Sequence, residues 1–259
     1  RGPMGGRMRS CFRAIPPEKG SWAWLVAADY SQIELRVLAH VSQEPALVEA
    51  FAKGLDIHSR TAGLIFDKDM DQVSKEDRRA AKTINFGLIY GMGPQKLARD
   101  LSITLKEAKA FIERYFERMP GLKSFFENVE AEAKAKGFVA TLAGRHRYLP
   151  DLHSQNNQLQ SAARRQAVNT LIQGSAADII KLAMLSVDND PTLQKYGARL
   201  ILQVHDELLL ETSGQDGDGR NTAEQAGSRL QELMEAAFTL SVPLVVDLGI
   251  GKTWAEAHG

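Results

Sequence analysis

Two apolar runs in this chain each stop on an acid. Trp24-Leu25-Val26-Ala27-Ala28 ends at Asp29, and Leu200-Ile201-Leu202-Gln203-Val204 ends at His205-Asp206-Glu207. Short apolar runs of this composition read as buried strands, which puts both acids at strand ends rather than on solvated helix faces. Asp29 and Asp206 are then candidates to meet in space and hold hard cations, because Mg²⁺ favours a few carboxylate oxygens plus substrate phosphates over an all-protein cage. That ligand set serves two-metal phosphoryl transfer. An Asp after a strand also caps turns on its own account, so the two runs alone leave both readings open.

Between them lies Arg78-Arg79-Ala80-Ala81-Lys82-Thr83-Ile84-Asn85-Phe86-Gly87-Leu88-Ile89-Tyr90-Gly91. Ser74, with Asp77 three residues on, is an N-cap arrangement that starts a helix here. Arg78, Lys82, Phe86 and Tyr90 fall four apart and line one slowly rotating stripe. Two cations followed by two aromatics match a nucleoside triphosphate laid along the helix, phosphates at the basic end and base at the aromatic end. A solvated basic face above a buried aromatic pair has the same pattern.

The remaining patterning is mostly helical. Pro45 to Phe66 reads as short amphipathic helices around Asp56-Ile57-His58. Thr104 and Glu107 form a capping box ahead of a helix running to Pro120, and a further helix covers Gly121 to Lys136, ending at Gly137. Phe138-Val139-Ala140-Thr141-Leu142 reads as a strand entering Gly144-Arg145-His146-Arg147-Tyr148. A long helix is expected from Ser161 to Val187, with Asn169 and Gln173 on one face, and then a hairpin around His205-Asp206. Ser213 to Asn221 is a polar surface loop whose Asp216 and Asp218 do not fit a calcium-loop pattern.

The 259 residues suffice for one large domain or two intimately joined ones, and 44% hydrophobic content supports a real core. No long apolar run or signal peptide stands out, which implies a soluble intracellular protein. The single Cys11 excludes an internal disulfide, and no Cys/His cluster has zinc spacing. Lys+Arg and Asp+Glu both number 32, so any nucleic-acid binding must come from local patches rather than from overall charge.

Taken in order, the segments around Asp29, Arg78–Tyr90 and His205-Asp206 resemble motifs A, B and C of the family A DNA polymerases. The resemblance lies in the C-terminal palm-and-fingers region of the bacterial members. It extends through Val245-Val246-Asp247-Leu248-Gly249 to Trp254-Ala255-Glu256-Ala257-His258 and covers nearly the whole chain. It implies an α+β fold, with an antiparallel palm sheet, packed helices and an inserted helical fingers subdomain. Residues 1–44 would be the first part of the palm, 45–137 the fingers and 138–259 the second part of the palm. It also implies a cytoplasmic bacterial protein with no membrane partner, acting on primer-template DNA and dNTPs, and leaves the oligomeric state open with a monomer preferred.

Each motif residue has an implied role. Asp29, Asp206 and the backbone carbonyl of Tyr30 would hold two Mg²⁺ ions, with Glu207 an accessory carboxylate. Arg78 and Lys82 would bind the incoming phosphates, and Lys82 would also serve as proton donor to pyrophosphate. Gln32, His58, Phe86 and Tyr90 complete the nucleotide contacts. Glu34, backed by Tyr90, would fill the space a ribose 2′-hydroxyl needs, the group that separates ribonucleotide from deoxyribonucleotide. Arg145, Asn169, Gln173 and His205 match positions that touch the primer-template beside the new base pair, where minor-groove acceptors report pair shape without sequence.

Two positions vary from relatives. Arg164 stands where a Glu is common before the arginine matched by Arg165, so a local ion pair is expected to be rearranged. Phe86 is Tyr in some members, and Phe goes with better rejection of dideoxynucleotides. The resemblance further suggests a partial polymerase, without the thumb and exonuclease domains and with a sheet edge left exposed and open to self-association. Such a chain would extend primers poorly. A folded nucleotide-binding fragment without useful activity is the alternative. A single-subunit RNA polymerase is another, against which Glu34 and Asp29-Tyr30-Ser31-Gln32 argue.

Overall fold

A computed structural model of the chain describes residues 3–15, 23–213 and 219–258. Helix α1 (Pro3–Arg9) and strand β1 (Ala23–Tyr30) come first. Helices α2 (Ile33–Ser42), α3 (Pro45–Ala52), α4 (Ile57–Phe66), α5 (Lys75–Ile89), α6 (Pro94–Leu101), α7 (Leu105–Arg118) and α8 (Pro120–Lys136) follow. A hairpin of β2 (Phe138–Ala140) and β3 (His146–Tyr148) leads to the long helix α9 (Asn157–Asp188). The chain closes with α10 (Pro191–Lys195), β4 (Arg199–Val204), β5 (Glu207–Ser213), α11 (Arg220–Glu235), β6 (Val246–Gly251) and α12 (Trp254–His258). All strand pairs are antiparallel, and the class is α+β as expected.

Internal contacts group the chain into two units, residues 1–33 with 176–259, and residues 34–175. The expected palm and fingers boundaries assign 34–44 and 138–175 differently, because α2 and α9 each run across a boundary between the contact units.

The first unit is built on a sheet of order β4-β5-β1-β6. On one face Leu25, Ala27 and Leu209 bury themselves with Trp254 and Ala257 of α12. The other face takes α11, with Gly227 against Val26, and the Tyr30 hydroxyl donates to the Met234 carbonyl at 2.6 Å. Alternation along β1 therefore serves both layers at once. A Cβ on Gly249 would lie 1.8 Å from the Ala257 carbonyl oxygen, so glycine is what lets α12 close on β6. Leu25 is 1% exposed, and truncating it to Ala should cost about 2–5 kcal/mol.

The second unit is helical around the β2–β3 hairpin. Capping boxes start two of its helices, Ser74 with Asp77 at α5 and Thr104 with Glu107 at α7. Buried Glu44 accepts from the Ala46 N–H at the start of α3 and from the Gly121 N–H at the start of α8, tying two helix N-termini together. Ala133, Val139, Leu149, Leu152, Ala163 and Ala167 form the core beneath the hairpin.

Four expectations need correction. The run Leu200–Val204 is not a buried strand: β4 is an edge, exposed at alternate residues, and the buried partner is β5. The strand expected over 138–142 stops at Ala140, where the chain turns. The long helix begins at Asn157, four residues early, because the Asn156 side chain caps the N–H groups of Gln158 and Leu159. The polar loop is shorter than read, since β5 reaches Ser213 and α11 begins at Arg220; Asp216 and Asp218 lie outside the described residues. In addition, α9 is long and apolar enough to cross a membrane by length and composition, a run the sequence reading passed over. Half of that window is buried inside the fold, as in a core helix.

Candidate active site

In the first unit the end of β1 carries the acids. Asp29 stands opposite Glu207 of β5 and opposite Asp247 of β6, so three acids share one row across the sheet on the face that α12 covers. The turn between β4 and β5 begins at His205, an exposed residue with φ of 55°, steadied by Gln203 Nε2 donating to the His205 carbonyl at 2.6 Å. That turn brings Asp206 to Asp29: the Tyr30 N–H donates to the Asp206 carbonyl at 3.1 Å, and the Asp206 carboxyl lies close enough to raise the proton affinity of Asp29.

Burial first, then the charges of Asp206 and Glu207, push the Asp29 carboxyl up to about 6, with His258 partly opposing. Asp29 Oδ1 is buried without a hydrogen-bond partner. A desolvated acid beside a second acid, with an oxygen to spare, has the donor chemistry a divalent cation completes. Among the described residues no group of three or more His, Cys, Asp or Glu side chains forms a metal cage. Two carboxylates are sufficient for an ion that retains waters and substrate oxygens.

Glu207 is differently placed. It is 5% exposed, and its oxygens take the Trp254 Nε1–H at 2.8 Å and face His258 Nδ1 at 3.2 Å. Tyr30 turns its side chain away into α11, leaving only its main chain at the acids. Gln32, at φ 56°, has its Oε1 buried without a partner.

In the second unit, Arg78 and Lys82 are exposed along α5, and Phe86 and Tyr90 are half-buried further on. Lys82, Phe86, Tyr90, Gly91, Lys96 and Arg165 line an open cleft of about 760 Å³. At Gly91, φ is +68° and a Cβ would sit 2.4 Å from the Arg165 side chain, so glycine there both turns the chain and admits the guanidinium arm. The Tyr90 hydroxyl donates to the Glu34 carboxylate.

Arg78 is held by Asp56, the N-cap of α4, through Nε at 2.5 Å and Nη2 at 3.3 Å. Burial raises the Asp56 carboxyl, but hydrogen bonds from Arg78, Ser59 and the His58 N–H together outweigh it and hold the group at about 2. His58 is 2% exposed and does not line the cleft. Its burial pushes the imidazole down to about 4, against the pull of Asp56 and with the help of Arg78 and Lys82, so it is neutral at pH 7. Asn85 Nδ2 lies 3.3 Å from the His58 Nδ1 and within hydrogen-bond reach of the Thr61 hydroxyl at 3.1 Å.

Of the DNA-contact candidates in this unit, Arg145 is exposed on the turn of the hairpin, with Nη2 on the Gly174 carbonyl at 3.2 Å. Asn169 and Gln173 stand one turn apart on α9, Gln173 exposed and Asn169 Oδ1 buried without a partner. Arg164 pairs through Nε with Glu130 at 2.9 Å.

Sequence reasoning missed Trp254 and His258 at Glu207, Asp56 at Arg78, and Asn85 at His58. Only Asp56 carried a usable signal, as an N-cap residue ahead of an apolar run. The others depend on register or on contacts between distant segments.

The family model for DNA polymerase family A matches residues 1–256, and the chain belongs to that family. It is 49% identical over 96% of its length to DNA polymerase I of Bacillus caldotenax, covering 28% of that protein. It is 48% identical over 98% of its length to DNA polymerase I of Pseudomonas aeruginosa, covering 27%. To the thermostable DNA polymerase I of Thermus aquaticus it is 46% identical over 99% of its length, covering 29%. The chain thus spans under a third of the length of these relatives. Among solved structures, the POL domain of Pol1 from M. smegmatis in complex with DNA primer-template and dNTP aligns over the whole chain and 44% of its own, with a TM-score of 0.89 and 42% identity.

Proposed function

We propose that the chain carries the chemistry of a DNA-directed DNA polymerase, adding deoxynucleotides to a primer 3′-hydroxyl. The observation that carries the reading is the buried, unpartnered Oδ1 of Asp29 beside Asp206 in a member of this family. Asp29, Asp206 and the Tyr30 carbonyl would hold two Mg²⁺ ions, which when bound supply activation of the hydroxyl and neutralise charge on the departing pyrophosphate.

The protein's own groups do the remainder. Lys82 and the free face of the Arg78 guanidinium bind the triphosphate, Arg as a fork and Lys as a point charge. Lys82 also gives a proton to the leaving pyrophosphate. Asp56 takes two of the five Arg78 N–H donors, which fixes the direction of the others. Phe86, with the buried neutral His58 ring beside it at 5.7 Å between centroids, offers a flat apolar face to the base, and Gln32 completes the nucleotide contacts. The Tyr90–Glu34 pair walls off the sugar 2′ position. Arg145, Asn169, Gln173 and His205 support the primer-template.

Primer extension by this chain, beside a form lengthened at its N-terminus to the extent of its relatives, tests the reading. Mg²⁺-dependent extension by at least the longer form, lost when Asp29 is replaced, supports it. Extension that ignores Asp29 and Asp206 would defeat it.

A further inference from the structure

Glu207 follows Asp206 directly and stands opposite Asp29 in the sheet, close enough for a free carboxylate to reach a cation held there. Yet both of its oxygens are already engaged, Oε1 by the indole N–H of Trp254 and Oε2 by the His258 ring. We infer that Trp254 and His258 are positioning residues that hold the Glu207 carboxylate off the cation site, so that of the three carboxylates only Asp29 and Asp206 meet the metal. The inference rests on the metal reading of those two acids.

The clamp is itself braced. The Trp254 backbone N–H donates to the Phe12 carbonyl at 2.9 Å, and the Phe12 ring meets the indole edge-on at 5.4 Å between centroids. The Arg9 guanidinium lies 5.2 Å from the indole centroid, and Arg13 bridges to Thr253. Glycine at 249 lets α12 sit against β6, which places both donors over the acid row. A third carboxylate on the cation would occupy positions that water and substrate phosphate need, so holding Glu207 back keeps the ion open to reactants. Neighbouring hydrogen bonds of this kind tune metal affinity and activity by about 10–100-fold.

The test is Mn²⁺ binding by electron paramagnetic resonance to the chain without DNA or nucleotide, a readout independent of polymerisation. His258→Ala should tighten Mn²⁺ by about tenfold, because the released Glu207 joins the ion. Trp254→Phe, which keeps an aromatic ring and removes the N–H, should do the same. His258→Asn, whose side-chain N–H can stand in for Nδ1–H, should bind within about twofold of the parent. Adding Glu207→Gln to His258→Ala should cancel the gain. A purely structural His258 would leave affinity unchanged or weaken it, and either result with an unchanged unfolding temperature overturns the clamp. Parent binding that survives Asp29→Ala would instead remove the metal reading, and the inference with it.

Discussion

The Tyr90 hydroxyl, one residue beyond α5, donates a hydrogen bond to the Glu34 carboxylate on α2, so residues 56 apart in sequence act as one wall. If that wall excludes a ribose 2′-hydroxyl, Glu34→Ala should lower the ratio of kcat/KM for deoxyribonucleotide over ribonucleotide. Tyr90→Phe should lower it less, by about five- to tenfold, since the net worth of one typical hydrogen bond is about 1 kcal/mol. Ratios unchanged in both variants would refute the role.

Arg78→Ala and Lys82→Ala should each raise nucleotide KM, by about 1.5–3 kcal/mol of lost charge-assisted contact, with primer-template affinity little changed. Asp56→Asn adds a second handle. It should also weaken nucleotide use, by loosening the Arg78 guanidinium while leaving its charge in place. Filter binding alongside steady-state kinetics separates the cases, and a collapse of duplex affinity at fixed KM would move these residues to the DNA track.

Asp29 makes folding sensitive to pH and to divalent cations. Its carboxyl titrates near 6 in the folded chain and near 3.8 unfolded, so between those values the folded state binds more protons and stability falls as pH rises. In metal-free buffer at pH 7.5, Asp29→Asn should therefore unfold at a higher temperature than the parent, and the gap should close as pH falls through 6 towards 4. Mg²⁺ should raise the parent's Tm by mass action and leave the variant unmoved. Calorimetry across pH would show it, and a gap that persists at pH 4 would contradict it.

His58 has the opposite sign. Its folded value near 4 lies below the unfolded 6.5, so the unfolded chain takes the proton first and stability falls as pH drops through that window. His58→Gln should lose less stability than the parent between pH 6.5 and 4. Parallel curves for the two proteins would show that the buried ring does not titrate as described.

Legibility followed the range of the physics. Ser74–Asp77 and Thr104–Glu107 announce helices because a cap is a local bond between residues three apart, and both are present. The stripe Arg78, Lys82, Phe86, Tyr90 was readable from helical period alone. Strand β6 was not: Val246–Gly251 holds an exposed Asp247 and two glycines, and becomes a strand only because Ala27 and its neighbours pair with it. β4 looked buried because its residues are apolar, yet its position at the sheet edge decided its exposure. The engagement of Glu207 was invisible for the same reason, since Trp254 lies 47 residues away.

The most direct test of the central claim is single-turnover primer extension in Mg²⁺ by Asp29→Ala and Asp206→Ala, in whichever form of the chain proves active, with circular dichroism to check the fold. Loss of several kcal/mol of transition-state stabilisation predicts a fall of at least about a thousandfold for each, with the fold unchanged. Near-normal extension by either variant, fold intact, would contradict the account.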